Sequence, residues 1–413
     1  MTLLYDKFIK GPIFGCQQCG QCLLSQTGFV TPMRCPKGLR NGPCGGTLDG
    51  KCEVLQDQPC VWLRIRDGKY SVDGVHKPLD ASLVNTSSLK NYLTGRDKPT
   101  RLPQPFKGHA RADSHLPSVF AQKFDRIKPI ITYEIASPRD CSGLARVEEI
   151  TQTVHPFVDG INTTTNAGGV PSLHSLETAR VVVASGVSPI VQFCGRDQDA
   201  DTFTAEVREA LFDGFANILA LTGDWNPNKE RGRNPEHWFP MDSLQMVDIL
   251  AGKSGFVKQP FIGVASTPYT QPMEASLARF MSKLKAGADF TQTQIVTETN
   301  VFGHWLQRVR ASAEGQRCRI LVSIPLIGKP RPYEILQRLP GVTVDRDFAA
   351  ALAADDNLAT AGLNAARQLV RALLALDIDG VHIMNFGVPL EAVIDLIQEV
   401  RTYPVNSAEL SAN

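Results

Sequence analysis

Charge of one sign is missing from this chain. Its 43 lysines and arginines meet 42 aspartates and glutamates, a formal net charge of +1. That balance gives no electrostatic footing for nucleic acid or for an anionic membrane surface. Long apolar runs are missing too. None approaches the roughly 20 residues that a bilayer span requires. The opening MTLLYDKFIKGPIFG lacks the apolar centre of a secretory leader. The expected compartment is therefore the cytoplasm, with neither membrane nor nucleic acid as partner. No GxGxxG and no GxxxxGK(S/T) follows a strand candidate, which removes the usual dinucleotide and nucleotide-phosphate cradles. Internal repeats and low-complexity tracts are also absent. What remains is ordinary globular composition, 43% hydrophobic and 21% charged over 413 residues, a length for two or three domains.

Cysteine is scarce over most of the chain and crowded in one place. Of the 10 cysteines, Cys141, Cys194 and Cys318 are scattered, whereas Cys16, Cys19, Cys22, Cys35, Cys44, Cys52 and Cys60 fall close together. Such crowding without a leader reads as metal ligation rather than a disulfide framework. Residues 1–67 are otherwise rich in glycine and proline, with little amphipathic helix, and need a metal or a larger neighbour to hold them. The x₂ spacing of Cys16, Cys19 and Cys22, with Cys35-Pro36 beyond, follows the ligation style of a 4Fe-4S cluster. Two cysteine pairs around one ion would instead make a zinc knot. Residues 68–127 are polar and proline-spiced and read as a linker.

From residue 128 short β-branched runs alternate with helical stretches. Eight strand candidates emerge: PIITYE (129–134), VDGINTT (158–164), PIVQF (189–193), NILAL (217–221), FIGVA (261–265), DFTQTQIV (289–296), RILVSIP (319–325) and GVHIMN (380–385). Strict alternation with helices over residues 128–405 predicts an α/β fold, a (β/α)8 TIM barrel behind a small cysteine-rich metal-binding module. A doubly wound open sheet is the alternative. Barrel chemistry gathers where strands end. That rule selects Glu134, Thr164, the Cys194-Gly195-Arg196-Asp197 turn, Thr222-Gly223-Asp224, Gln292, Gln294, His382 and Asn385. Glu134 and Asp224 come from different strands and suit acid catalysis plus stabilisation of a developing cation. Each could also be a helix cap or an ion-pair partner, and His382 reads first as a core histidine.

Several of these segments resemble the methylenetetrahydrofolate reductase family. Tyr133-Glu134 with Ser137-Pro138-Arg139, Asn162-Thr163-Thr164 with Gly168-Gly169, Val191 through Asp197, NILALTGD (217–224), FPMDSLQMVD (239–248) and KAGADFTQTQ (285–294) follow that family's order over residues 128–402. The block from Cys35 to Gly46, with Gly50-Lys51-Cys52 and Cys60-Val61-Trp62, resembles a module that accompanies some members. In those relatives it is associated with iron–sulfur clusters and with zinc. The resemblance implies flavin-mediated hydride transfer between 5,10-methylenetetrahydrofolate and 5-methyltetrahydrofolate. FAD is the implied flavin, with FMN as the other choice, and NAD(P)H or a ferredoxin-like protein as electron donor. Glu134 matches the acid that opens the folate ring, Asp224 the carboxylate beside flavin and cation, and Gln294 the glutamine that binds the pterin. Thr164 and Gly223 match positions lining the flavin. Two departures stand out: the family's histidine is Val191, and its arginine before Gly-Asp is Thr222. They keep a flavin-free variant, and a folate- or corrinoid-dependent methyltransferase, as alternatives. A non-catalytic electron-transfer or scaffold subunit is the third reading, disfavoured by Glu134 and Asp224 together. A homo-oligomer stays open.

Overall fold

The computed structural model describes residues 2–47, 49–67, 74–97, 102–106, 118–226, 228–252, 256 and 259–403. Parts of the expected linker (68–73, 98–101, 107–117) and the last two residues of the expected barrel domain lie outside them. Eight parallel strands close on themselves: β1 (Ile130–Ile135), β2 (Gly160–Thr163), β3 (Pro189–Cys194), β4 (Asn217–Leu221), β5 (Phe261–Ser266), β6 (Phe290–Thr293), β7 (Arg319–Ile327) and β8 (Gly380–Phe386). β8 pairs with β1, setting His382 opposite Thr132, and Glu134 lies opposite Asn162 across β1 and β2. All eight coincide with the strands expected from sequence, and the barrel stands. Its strands are buried on both faces, which is why they read as continuous apolar runs rather than alternating ones.

The longest helix after each strand is, in order, α1 (Leu144–Val154), α2 (Ser175–Ala184), α3 (Ala200–Phe212), α4 (Ser243–Ala251), α5 (Met273–Ala286), α6 (Thr299–Arg310), α7 (Leu358–Leu374) and α8 (Leu390–Arg401). Local chemistry starts them. Asp199, Glu298 and Asn357 accept backbone N–H bonds at the heads of α3, α6 and α7, and Asp242 with Gln245 forms a capping box on α4. No helix among the described residues is long and apolar enough to cross a membrane.

Part of the stretch expected as linker seals the lower end of the barrel. Ser118 caps the short helix Val119–Lys123, and Phe120 and Phe124 cluster with Ile130, Ile190, Leu219, Phe261, Phe290 and Leu321. Phe261 and Phe290 stack at 4.9 Å between centroids. That stack needs Gly263, because a Cβ there would lie 2.3 Å from the Phe290 ring.

The cysteine-bearing segment sits on the loops that follow β4 and β5. Phe239 N donates to Lys37 O at 2.8 Å and Arg233 Nε to Arg34 O at 3.1 Å. Asn41 Nδ2 donates to Asp242 Oδ2 at 2.9 Å, Arg279 Nη1 to Asn41 O at 2.6 Å, and Thr270 Oγ1 to Gly45 O. The Gly38 backbone (φ 67°) runs so close to Trp238 that a Cβ would meet the indole at 2.6 Å.

Phe120 is fully buried in the plug. Phe120→Ala should lower unfolding stability by about 3–5 kcal/mol, the usual loss for a large core aromatic. Urea unfolding measures it; a change under about 1 kcal/mol would show that this helix does not close the barrel.

Candidate active site at the barrel mouth

Period-2 geometry points Ile130, Thr132 and Glu134 to one side of β1. The lowest joins the aromatic plug, the next a buried polar layer, and the last the mouth. In the polar layer Gln292 and Asn162 exchange amide bonds at 2.5 and 2.8 Å. His382 Nδ1 lies 2.9 Å from Thr132 Oγ1 and 3.3 Å from Gln292 Nε2. Above it, Glu134 Oε2 accepts from Gln192 Nε2 at 3.1 Å and lies 3.5 Å from His382 Nε2. The Glu134 side chain keeps 20% exposure. The carboxyl is thus held by β3 and β8 while remaining open to the mouth. Gln192 was passed over by sequence reasoning, although it shares the inward parity of β3 with Cys194. His382 is the buried core histidine expected, and it also contacts the candidate acid.

Asp224 is exposed at the turn beyond β4. Arg196 clamps this side, donating Nη1 to Asp224 O at 2.9 Å and Nη2 to Asn166 O at 3.0 Å, with Nε on Asp197 at 2.7 Å. Gly223 adopts φ 98°, and a Cβ there would lie 2.3 Å from Cys194 Sγ. The backbone therefore passes over a filled space that no side chain can enter. Burial pushes the Cys194 thiol up to about 12, so it remains an inert protonated packing group. Thr222 Oγ1 turns away to Ser243 Oγ at 3.0 Å.

Two expected binding residues are engaged within the chain. Thr164 Oγ1 accepts from Ser137 N at 3.1 Å, which ties the loops after β1 and β2. Gln294 donates from Nε2 to Pro340 O at 3.2 Å and accepts from Ile295 N at 3.0 Å. Asn385 Nδ2 donates to the Tyr133 hydroxyl at 3.2 Å. Beyond β2, Gly168 (φ 61°) has open space where a side chain would stand.

The seven clustered cysteines divide between two cavities. Cys35, Cys44, Cys52 and Cys60 line one, together with Lys37, Glu53, Arg34, Arg64 and Arg233. Cys16, Cys19 and Cys22 line the other, with Asp6 and Ser88. Cys35, which the ligation style groups with Cys16, Cys19 and Cys22, lines the other cavity. Cys35 packs with Leu39, Cys60, Val61 and Phe239, whereas Cys19 packs with Met33 and Trp238. Among the described residues no set of three or more histidine, cysteine or acidic side chains surrounds a single metal ion position. Burial pushes the Cys35 thiol up to about 12 and the Cys60 thiol to about 11, and Cys44 is raised as well. Cys19 is likewise pushed up to about 11 by burial.

Lys37 joins the two regions. Its Nζ donates to Gly223 O at 3.0 Å and pairs with Glu53, in the wall of the four-cysteine cavity. Burial alone would lower this ammonium; the charges of Glu53, Cys44 and Asp224 outweigh it and hold it above the usual lysine range.

A closed barrel with two carboxylates at its C-terminal mouth, one backed by histidine and glutamine, is built like an enzyme. The family follows from comparison: the model described as methylenetetrahydrofolate reductase matches residues 119–398, and the chain belongs to that family. A second model, described as methylene-tetrahydrofolate reductase C terminal, matches residues 4–82, which here precede the barrel. Methylenetetrahydrofolate reductase 2 of Saccharomyces cerevisiae is 26% identical over 204 residues, 45% of this chain and 32% of that protein. The chain thus aligns with about a third of the length of that curated relative. A solved structure of an uncharacterized Clostridium thermocellum protein that binds two copies of 5-methyl-5,6,7,8-tetrahydrofolic acid superposes with a TM-score of 0.52. It is 16% identical and covers 68% of this chain and 99% of its own, a likeness of fold.

Gly223→Ala is expected to destabilise by about 1–3 kcal/mol, through strain at positive φ and the clash with Cys194. The urea midpoint measures this. A neutral substitution would mean that the β4 turn does not need its present path.

Proposed function

We propose that this protein interconverts 5,10-methylenetetrahydrofolate and 5-methyltetrahydrofolate by flavin-mediated hydride transfer. The carrying observation is the placement of Glu134 and Asp224 at one mouth in a barrel of this family, with Glu134 braced by Gln192 and His382. Glu134, open to the mouth, supplies the proton that opens the five-membered ring at N10. The resulting 5-iminium ion carries positive charge, and the Asp224 carboxylate stabilises it electrostatically. Gln294 would leave Pro340 O and Ile295 N to bind the pterin. The relative whose solved structure holds 5-methyltetrahydrofolate supports a folate substrate.

A flavin, FAD or FMN, would be held at the side of the mouth carrying Thr164, Gly168 and Gly223, where Gly168 leaves open space. When bound it supplies the hydride. Asp224 and Arg196 shape the edge of that space. The four-cysteine cavity fits a polynuclear iron–sulfur cluster better than zinc. No three of the described cysteine, histidine or acidic side chains converge on one metal position, and cluster ligands need only reach separate irons. Cys16, Cys19 and Cys22 would form a second, three-thiolate site. Raised thiol affinities for protons mean that any metal must displace those protons, which makes loading pH-dependent. A cluster beside Lys37 favours a ferredoxin-like electron donor, whereas zinc would favour NAD(P)H. The protein acts in one-carbon metabolism in the cytoplasm.

The test combines a spectrum, metal and acid-labile sulfide analysis, and folate turnover on anaerobically purified protein. Flavin bands, sulfide and turnover are expected. Glu134→Gln should lower kcat by about 10²–10⁴-fold, the range for removing a general acid. Full turnover by that variant would remove Glu134 from its role. Turnover without flavin would point to direct nicotinamide chemistry, and methyl transfer without redox to the methyltransferase reading.

A further inference from the structure

Lys37 lies two residues beyond Cys35, yet its side chain serves the barrel. Across 186 positions of sequence it bonds the carbonyl of Gly223, the residue before Asp224. It is almost wholly buried, as is its partner Glu53, with side-chain exposures of 4% and 7%. Its ammonium also lies 5.3 Å from the centroid of the Phe239 ring. The position that carries arginine in the resembling family is Thr222, and that threonine points to Ser243 instead. The only side-chain hydrogen bond described on the Gly223 carbonyl comes from this distant lysine.

We propose that Lys37 is a positioning residue for Asp224: it reaches out of the cysteine-bearing segment to fix the Thr222–Asp224 turn, and Glu53 neutralises it so that the Asp224 carboxylate keeps its full negative field. The inference rests on the reading of Asp224 as the cation-stabilising carboxylate. Its physical logic has two parts. A hydrogen bond from a buried cation to Gly223 O is strong and directional and holds the turn at φ 98°. The same cation, unpaired, would offset the nearby Asp224 charge and weaken its hold on an iminium ion. Glu53 removes that conflict, since the Lys37–Glu53 pair is neutral as a unit. The cysteine-bearing segment thereby completes the mouth of the barrel and is more than a neighbour to it.

The test uses the full-length protein and the variants Lys37→Met, Lys37→Arg, Glu53→Gln and Lys37→Met with Glu53→Gln. For each, kcat and KM for the folate, the urea midpoint, and metal and sulfide content are measured. Lys37→Met and Glu53→Gln should each lower kcat about tenfold while KM for the folate moves less than about threefold, the signature of an interaction that matters in the transition state. Lys37→Arg should retain most of the rate. The double variant should stay about tenfold slow, because it still lacks the hydrogen bond to Gly223 O. A purely structural pair predicts that the double variant, which leaves no unpaired buried charge, recovers both stability and rate. That result overturns the proposal, as does wild-type kcat in Lys37→Met, or a rate loss that merely tracks lost metal. Absence of folate turnover in the wild-type protein would instead overturn the function proposed above, and this inference with it.

Discussion

One buried carboxylate ties together the parts of this protein. Asp242 is 1% exposed. From inside the barrel wall it accepts the N–H groups of Leu244 and Gln245 at 2.9 and 3.2 Å and so starts α4. It pairs with Arg279 of α5 at 3.0 Å and accepts from Asn41 of the cysteine-bearing segment at 2.9 Å. Burial works against its charge, and Arg279 with the hydrogen bonds prevails, holding the carboxyl below its usual range. Loss of one partner from such a buried set typically costs about 3–5 kcal/mol. Asn41 extends the set, exchanging bonds with the backbone of His76, to whose carbonyl Gln245 also donates at 2.8 Å. Lys283, one turn beyond Arg279, shows what happens without a carboxylate of its own. Burial and the Arg279 charge push it down to about 7, and it rests on the Ala265 carbonyl at 2.7 Å.

The barrel was legible because its strands announce themselves locally. PIVQFC and NILAL are short, apolar and β-rich, and each is followed by a stretch of helical period. The place of Glu134 and Asp224 at the mouth was legible because both fall where a barrel strand ends. Lys37 was not legible. In CPKGLRNGPCGG a lysine among glycines and prolines looks like a solvated loop residue, and its burial depends on Phe239 and Gly223, some 200 positions away. The division of the cysteines between two cavities was not legible for the same reason. Spacing of two residues speaks for Cys16, Cys19 and Cys22, but the placement of Cys35 is decided by contacts with a loop that local sequence does not contain.

A further regularity is only one residue wide and so leaves no sequence repeat. Asp159, Asp289 and Asp379 each stand just before an even-numbered strand, in Val-Asp-Gly, Ala-Asp-Phe and Ile-Asp-Gly. Each accepts the backbone N–H of the strand before it, from Ile131 at 2.9 Å, Ile262 at 2.9 Å and Ile320 at 2.8 Å. At β3 and β4 the direction reverses, and the Asn217 amide donates to the Pro189 carbonyl at 2.9 Å. Arg401 pairs with Asp159, and Arg310 with Asp379. These carboxylates sit at the lower end beside the aromatic plug, where they stabilise the barrel. Carboxylates of identical chemistry at the upper end remain available for reaction. Position along the strand, rather than residue type, separates the two uses.

That division explains why the cysteine-bearing segment had to dock where it did. Its contacts with the barrel are close and buried. A Cβ on Gly45 (φ 94°) would meet Thr267 Oγ1 at 2.8 Å, and the space beside Gly38 is filled by Trp238. Trp238 and Phe239 are themselves 8% and 5% exposed. An interface made of fitted glycines, buried aromatics and a satisfied carboxylate cannot open without exposing apolar surface and unpairing Asp242. The segment is therefore fixed in place and is no swinging carrier. Any group its thiols held would face the mouth from one position, through the wall shared at Lys37 and Glu53. The lower end, closed by Phe120 and its neighbours, offers no such route. Docking on the loops after β4 and β5 sets the segment, and with it the cavity lined by Cys35, Cys44, Cys52 and Cys60, beside Gly223.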